Sequence, residues 1–373
     1  MSYTLVLEWM PGDLYMSAVT ARCTAPTSSY SVVWLPPNKV YQITLYCGST
    51  SLVSFLVGAF RGKAWSYMKK ITDELLRMVS EFKGTFHGAF NIREDGRCAG
   101  RQSTEHIRIE PKEGGLPGIV VRVKPGTRGE TVYIPACVTH SGIDDLVYND
   151  FYIGENADVT IIAGCGVHTD GEEEARHNGI HRFVLEKGAH VLYKEKHIGT
   201  GGGTGIRRID PVTQAVLWED AVLEMDTVQI RGVDTTERKT TATLHARARM
   251  VVRERIMTDG QETAKSDFEV TLQGEDSGVD LVSRSVAKGH SRQSFYSNIH
   301  GNNRCTGHSE CDAILADQGM VTALPALEAA HGDASLIHEA AIGKIAGEQI
   351  LKLCTLGLTE EEAERKIIEG FLK

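Results

Sequence analysis

Eight cysteines, at positions 23, 47, 98, 137, 165, 305, 311 and 354, are the first candidates for chemistry. They form no CxxC pair and no dense framework, so reduced thiols are the simpler reading, some of them reactive or metal-binding. Cys165 ends the apolar run Val159-Thr-Ile-Ile-Ala-Gly-Cys-Gly. Small neighbours would leave its thiol open to a sulfur donor or a metal; a small buried hydrophobe is the alternative, and the residues alone favour it. Further on, Cys305-x-x-His308-x-x-Cys311 sets three soft or borderline donors within seven residues, and His338-Glu339 follow. Thiolate, imidazole and carboxylate suit iron or zinc. The spacing is not a zinc ribbon, and solvated loop residues remain the alternative. His177 and His181 are four apart, but Asn178-Gly179 between them breaks a helix and rejects an HExxH metal pair, leaving them at a strand entry. Gly199-Thr-Gly-Gly-Gly-Thr-Gly lacks the Lys and Ser/Thr of a phosphate cradle and reads as a flexible turn. The chain shows no Walker loop, no dinucleotide fingerprint and no GxSxG elbow.

These residues need elements to position them. Apolar positions Ile71, Leu75, Leu76, Val79 and Phe82 predict a helix stopped by Gly84. Short strand-like pieces follow to about residue 150. Between about 150 and 300 an acidic residue, a small turn and Val-x-(Ile/Leu/Tyr) recur, with valines at 159, 191, 228 and 279. Alternation is strict in 243–253 and 268–273. Repeated short strands with glycine corners and no intervening helices suit a parallel β-helix; a β-sandwich is the alternative. Past residue 310, Leu336, Ile337, Ala340, Ala341, Ile345, Ile350 and Leu353 predict an amphipathic helix carrying His338 and Glu339 and ended by Gly357. Thr359 with Glu362 predicts a capping box opening a second helix with Ala363, Ile367, Ile368 and Phe371.

With 373 residues, 41% apolar and 24% charged, the chain is too apolar for disorder. A net charge of −9 argues against a nucleic-acid backbone binder. No apolar run is long enough to span a bilayer, and the expected location is the cytoplasm. Residues 1–67 stand apart. They hold three of the four tryptophans, and four bases against two acids give them +2 where the whole chain is −9. They read as an atypical upstream extension or a misplaced start rather than a native domain. The expected divisions are 1–67, an N-terminal helix with short strands at 68–145, a β-helix core at 146–310 and a helical domain at 311–373.

Val159–Cys165, the stretch from His177 to Gly188, Glu310-Cys311-Asp-Ala-Ile-Leu, Ile337-His-Glu-Ala-Ala-Ile-Gly-Lys-Ile and the closing Gly357-Leu-Thr-Glu-Glu-Glu-Ala together resemble the SufB/SufD family of iron–sulfur cluster assembly scaffolds. The likeness covers roughly residues 140–373. It implies a mostly β fold, a right-handed parallel β-helix with a C-terminal helical domain that docks a SufC-like ABC ATPase, and a short N-terminal α/β segment. It implies a scaffold rather than an enzyme, holding a transient iron–sulfur cluster. Cys165 falls where the family carries a sulfur acceptor, Cys311 and Glu339 where it assembles the cluster, and His338 where the SufD branch uses a histidine. Having both His338 and Glu339 resembles a compact, undivided form that would act as a homodimer, with a sulfur donor and apo-protein recipients as further partners. Ile367, Ile368 and Phe371 are the expected ATPase anchors. Residues 1–67 match nothing in that family. The competing readings are a metal-dependent β-helical or cupin-like enzyme, which would need a tight His/Glu cluster inside the barrel, and an interaction protein without metal.

Overall fold

A computed structural model describes residues 29–34, 41–46 and 70–373. The chain divides at Met68 into two units. In the first, Ser29–Trp34 and Tyr41–Tyr46 pair antiparallel; the expectation that residues 1–67 are not native lies outside the described residues.

The second unit is a β-solenoid of about eight turns. Its first sheet stacks Arg128–Val138, Asp158–His168, His190–Thr200, Val222–Arg231, Arg249–Thr258, Ser277–Ala287, Cys305–Leu315 and Ala334–Gly343, all parallel. The second, facing sheet stacks Asp144–Ile153, Ala175–Leu185, Val212–Leu217, Thr235–Leu244, Thr263–Leu272, Arg292–Gly301 and Met320–Ala329. Antiparallel hairpins close the N-terminal end of each sheet.

One corner explains the repeat. Ile153, Leu185, Leu217, Leu244 and Leu272 lie in one register row, all fully buried. Three residues after each of the first four comes a left-handed position, namely Asn156, Gly188, Asp220 and Arg247. A fully buried alanine follows at 157, 189, 221 and 248. Glycine, Asn and Asp tolerate that backbone region best, so the corners carry them often. The corner N–H groups bond upward, for example Asn156 N–H to the Lys187 carbonyl at 3.0 Å and Gly188 N–H to that of Glu219 at 2.9 Å. Each rung thereby satisfies the turn beneath it.

Helix α1 (Lys70–Val79) covers the outer face of the first sheet with Leu75, Leu76 and Val79, each no more than 3% exposed. Its seat is cut by Gly164 and Gly166, which flank Cys165. A Cβ on Gly164 would lie 2.3 Å from the Val79 carbonyl oxygen, and one on Gly166 2.8 Å from Leu75. Gly164→Val is therefore expected to drive α1 off the sheet at a cost of about 1–3 kcal/mol or more. Denaturant unfolding measures it, and an unchanged midpoint would refute the seating role.

Two expectations need correcting. The helical domain does not begin at 311. Strands continue to Gly343, so the helix expected over 336–353 is a strand, Ala334–Gly343, followed by α2 (Gly347–Cys354). The last rung has no further rung above it, and exposed apolar Ile337 and Ile342 fill in what looks like a helical period. Helix α3 (Glu360–Phe371) does open with the expected Thr359/Glu362 capping box. The glycine run 199–205 is not a flexible turn. It lies in backbone contact with the turn below, where a Cβ on Gly205 would stand 2.0 Å from the Glu173 carbonyl oxygen, and Gly203 N–H donates to the Thr169 carbonyl at 3.0 Å.

Candidate functional site

In a strand, alternate residues face opposite sides. Cys165 therefore points into the solenoid, with Gly164 and Gly166 pointing out against α1. The thiol is buried at 6% exposure among Ala136, Val138, Val167, Ile209 and Val233. The glycines do not expose it, as their spacing suggested; they admit a helix. Burial, reinforced by Glu195, pushes the Cys165 thiol well above the usual thiol range.

Register then decides what stacks on it. Cys165 aligns with His197, His197 with Gln229, Gln229 with Ile256 and Ile256 with Ser285. The neighbouring inner row reads Glu195, Thr227, Glu254, Ser283 and Cys311. The two cysteines thus stand on adjacent rows of one inner face. Five strand spacings separate them, roughly 24 Å at ~4.8 Å each.

The stripe between them is polar and enclosed. Tyr193 donates to Glu195 Oε1 at 2.8 Å, and its hydroxyl meets His181 Nδ1 at 2.8 Å. Arg238, from the facing sheet, holds Glu195 Oε2 at 2.8 Å and lies 3.4 Å from Glu254 Oε1. Ser266 and Ser283 donate to the two oxygens of Glu254 at 2.7 and 2.9 Å, and Ser297 pairs with Ser309 at 2.8 Å. Burial works against ionising Glu195, but Arg238 and His197 hold its carboxyl well below the usual range. Burial pushes the His181 imidazole down to about 4. Thr227 Oγ1, Gln229 Nε2, Arg238 Nη1 and Ser285 Oγ have no protein hydrogen-bond partner. The first three residues line a space of water-molecule size beside Glu254. Sequence reasoning missed this interior cluster, because its members lie on strands far apart in the chain. His177 and His181 belong to the same lining rather than to a strand entry, both inward on Ala175–Leu185. His177 Nδ1 sits 3.0 Å from Asp145, whose burial is outweighed by hydrogen bonds from His177 and Arg93 that hold it at about 2.

The expected metal set divides. Cys311, 1% exposed, faces inward, and burial followed by Glu254 pushes its thiol up to about 12. His338 aligns with Ser309, on the inward parity of the same strand pair, and its Nδ1 approaches the Ser309 carbonyl at 3.1 Å. Glu339 aligns with Glu310 on the outer face. There it meets His308, not Cys311. His308, Glu310 and Glu339 offer ligand atoms within 4.8 Å of one another. The helix expected here would have kept 338 and 339 near each other; the strand sends them to opposite sides.

The expected ATPase anchors also need correcting. Ile368 is buried with Val286 and Leu372, and Phe371 packs against that cluster. Ile367 is half-buried. The large apolar side chains left outside on this segment are Leu351 and Leu356, at 65% and 75% exposure.

Among the described residues no helix is long and apolar enough to cross a membrane. Residues 148–371 match the family model described as SUF system FeS cluster assembly, SufBD core domain. An iron–sulfur cluster assembly SufBD family protein of Methanothermobacter thermautotrophicus is 32% identical over 277 residues, 72% of this chain and 65% of that protein. One from Archaeoglobus fulgidus is 28% identical over 275 residues, 73% and 72% of the two chains. One from Methanocaldococcus jannaschii is 23% identical over 316 residues, 81% and 98%. The chain thus spans just under two thirds of the Methanothermobacter relative's length.

Proposed function

We propose, from the premise that this chain belongs to the SufBD family of SUF-system iron–sulfur cluster assembly proteins, that it is the scaffold on which sulfur and iron meet. The observation that carries this reading is the enclosed polar stripe joining Cys165 to Cys311 along adjacent inner rows. Cys165 is the sulfur acceptor. Its thiolate attacks the outer sulfur of a donor persulfide, and the donor leaves as thiolate, so the persulfide is now on Cys165. The thiol proton must leave first, since burial keeps it bound; we assign its uptake to His197, which stands in register with Cys165 on the next strand. Sulfur then passes along the stripe to Cys311, where it meets iron beside His338 on the inner face. A thiolate and imidazole environment holds a nascent cluster less firmly than four thiolates would, which suits release to an apo-protein.

Two partners complete the reading. The solenoid ends in two open strand edges, Met320–Ala329 and Ala334–Gly343, with Met320, Leu324, Leu327, Ile337 and Ile342 exposed beside them. Unpaired edges with apolar side chains favour a second copy of the chain, which would bring Cys311 and His338 of two protomers towards one interface. ATP hydrolysis belongs to a SufC-like ABC ATPase docking on the C-terminal helices through Leu351 and Leu356. The competing enzyme reading is disfavoured by the interior itself: its His/Glu cluster is closed by Tyr193 and Arg238, and each space beside Glu254 has room for no more than about one water molecule.

Cys165→Ser tests the assignment. Labelling with a persulfide donor followed by peptide mass analysis should modify the Cys165 peptide in the wild type and lose at least tenfold in the variant, with iron binding retained. Equal labelling of the serine variant refutes it.

A further inference from the structure

We infer that His308, Glu310 and Glu339 form a divalent-cation site on the outer face of the last two rungs, separate from the inward-facing Cys311. This deepens the assembly reading, on which the choice of ferrous iron as the ion rests; divalent binding itself does not depend on it.

The geometry starts from the register. Glu310 and Glu339 stand directly opposite each other on neighbouring parallel strands, and Asp312 and Arg284 are the further charged neighbours of Glu310. His308, two residues before Glu310, shares its face. His308 Nε2 lies 4.0 Å from Glu339 Oε2, and the three residues' ligand atoms fall within 4.8 Å of one another. Atoms sharing one ion at about 2.1 Å stand roughly 3–3.5 Å apart, so side-chain rotations close the set without moving the sheet.

A second observation bears on the imidazole alone. His308 Nδ1 is held at 2.8 Å by Asp280 Oδ1, from the rung below. That contact places the proton on Nδ1 and leaves the Nε2 lone pair facing the carboxylates. Carboxylate–histidine–metal is the arrangement by which proteins orient an imidazole ligand and raise its basicity. One nitrogen and two carboxylates are borderline-to-hard donors, which suit Fe(II), Mn(II), Co(II) or Zn(II) over a soft ion. Glu339 is common to this set and the family-implied one. The structure adds His308 and Glu310 as partners and Asp280 as a positioning residue, and it removes the thiol. Iron would be gathered on the outer face, one sheet thickness from the thiol that receives it.

The full-length chain, anaerobic and without sulfide, is titrated with Co(II), read by visible d–d absorption and by equilibrium dialysis. We expect one ion per chain, with no thiolate-to-cobalt charge-transfer band. His308→Ala, Glu310→Gln and Glu339→Gln should each weaken binding at least tenfold, and Asp280→Asn about tenfold. Cys311→Ala should bind as the wild type does. Wild-type affinity in both His308→Ala and Glu310→Gln, or loss of cobalt in Cys311→Ala, would overturn the site. Failure of cluster reconstitution with cobalt binding intact would take down the assembly reading and leave the site standing.

Discussion

Cys311→Ala is expected to abolish the visible absorbance that develops when the protein is reconstituted anaerobically with iron and sulfide, while the solenoid stays folded. Cys311 is the thiol at the far end of the polar stripe, beside Ser283 and one rung from the open end. A thiolate is the strongest iron ligand available there. Burial keeps the thiol protonated, pushed up to about 12, so iron binding must displace that proton, and alanine offers nothing to replace the sulfur. The structural cost is small by comparison. Deleting one buried sulfur falls at the low end of core truncations, about 1 kcal/mol, which in a chain of this size shifts Tm by only a few degrees. Wild-type absorbance in the variant would place the cluster elsewhere.

Arg238→Met should have the largest effect on stability. The guanidinium, 7% exposed, stands between Glu195 and Glu254, each 2% exposed. Removing it takes the arginine's charge from two interior carboxylates and leaves Glu195 only His197 at 3.5 Å, and breaking a buried ion pair from one side costs about 3–5 kcal/mol. Guanidinium chloride unfolding measures the loss; a variant within about 1 kcal/mol of wild type would contradict the arrangement. Adding Glu195→Gln and Glu254→Gln should recover much of it, because uncharged partners no longer need the arginine. The sign with pH follows from the same groups. In the wild type the Glu195 carboxyl is held low, with Arg238 the leading favourable cause against burial. Its stabilisation is therefore present above the unfolded carboxylate value, about 4.3, and is lost as pH falls below it. Without Arg238 the carboxyl loses its leading favourable partner and keeps only the histidines against burial, so the variant takes up that proton at a higher pH than the wild type. The gap between wild type and variant should narrow as pH falls through the carboxylate range.

The repeat that marks the solenoid was partly legible. Val159, Val191 and Val279 do share one inner row, with Leu223 and Met250 between them. Val228, however, faces outward; the true member of its rung is Leu223. Rung lengths of 32, 32, 27 and 29 residues along that row defeat a search for one period, since loops such as 200–206 lengthen early turns without altering the strands. The steadier signal was the corner, an Ile or Leu, two variable residues, a left-handed position and Ala or Ser. It runs from Ile153 to Ser277, one residue longer in the last instance. The C-terminal error had a different cause. A terminal rung covers only one of its edges, so apolar residues on both faces blur the period of two and imitate a helix.

The sequence by itself determined the family, the β-helical class, the capping box at Thr359 and the two cysteines worth testing. These follow from residue identities and from local backbone preferences written in a few adjacent positions. Only the tertiary structure decided which side chains share a face. It set Cys165 and Cys311 on neighbouring rows of one enclosed stripe, joined Glu195, Arg238 and Glu254, turned Glu339 outward to His308 and Glu310, and buried Ile368. The reason is physical: face depends on strand parity and neighbours depend on register. Register is set by the length of every intervening turn, which no local stretch of sequence records.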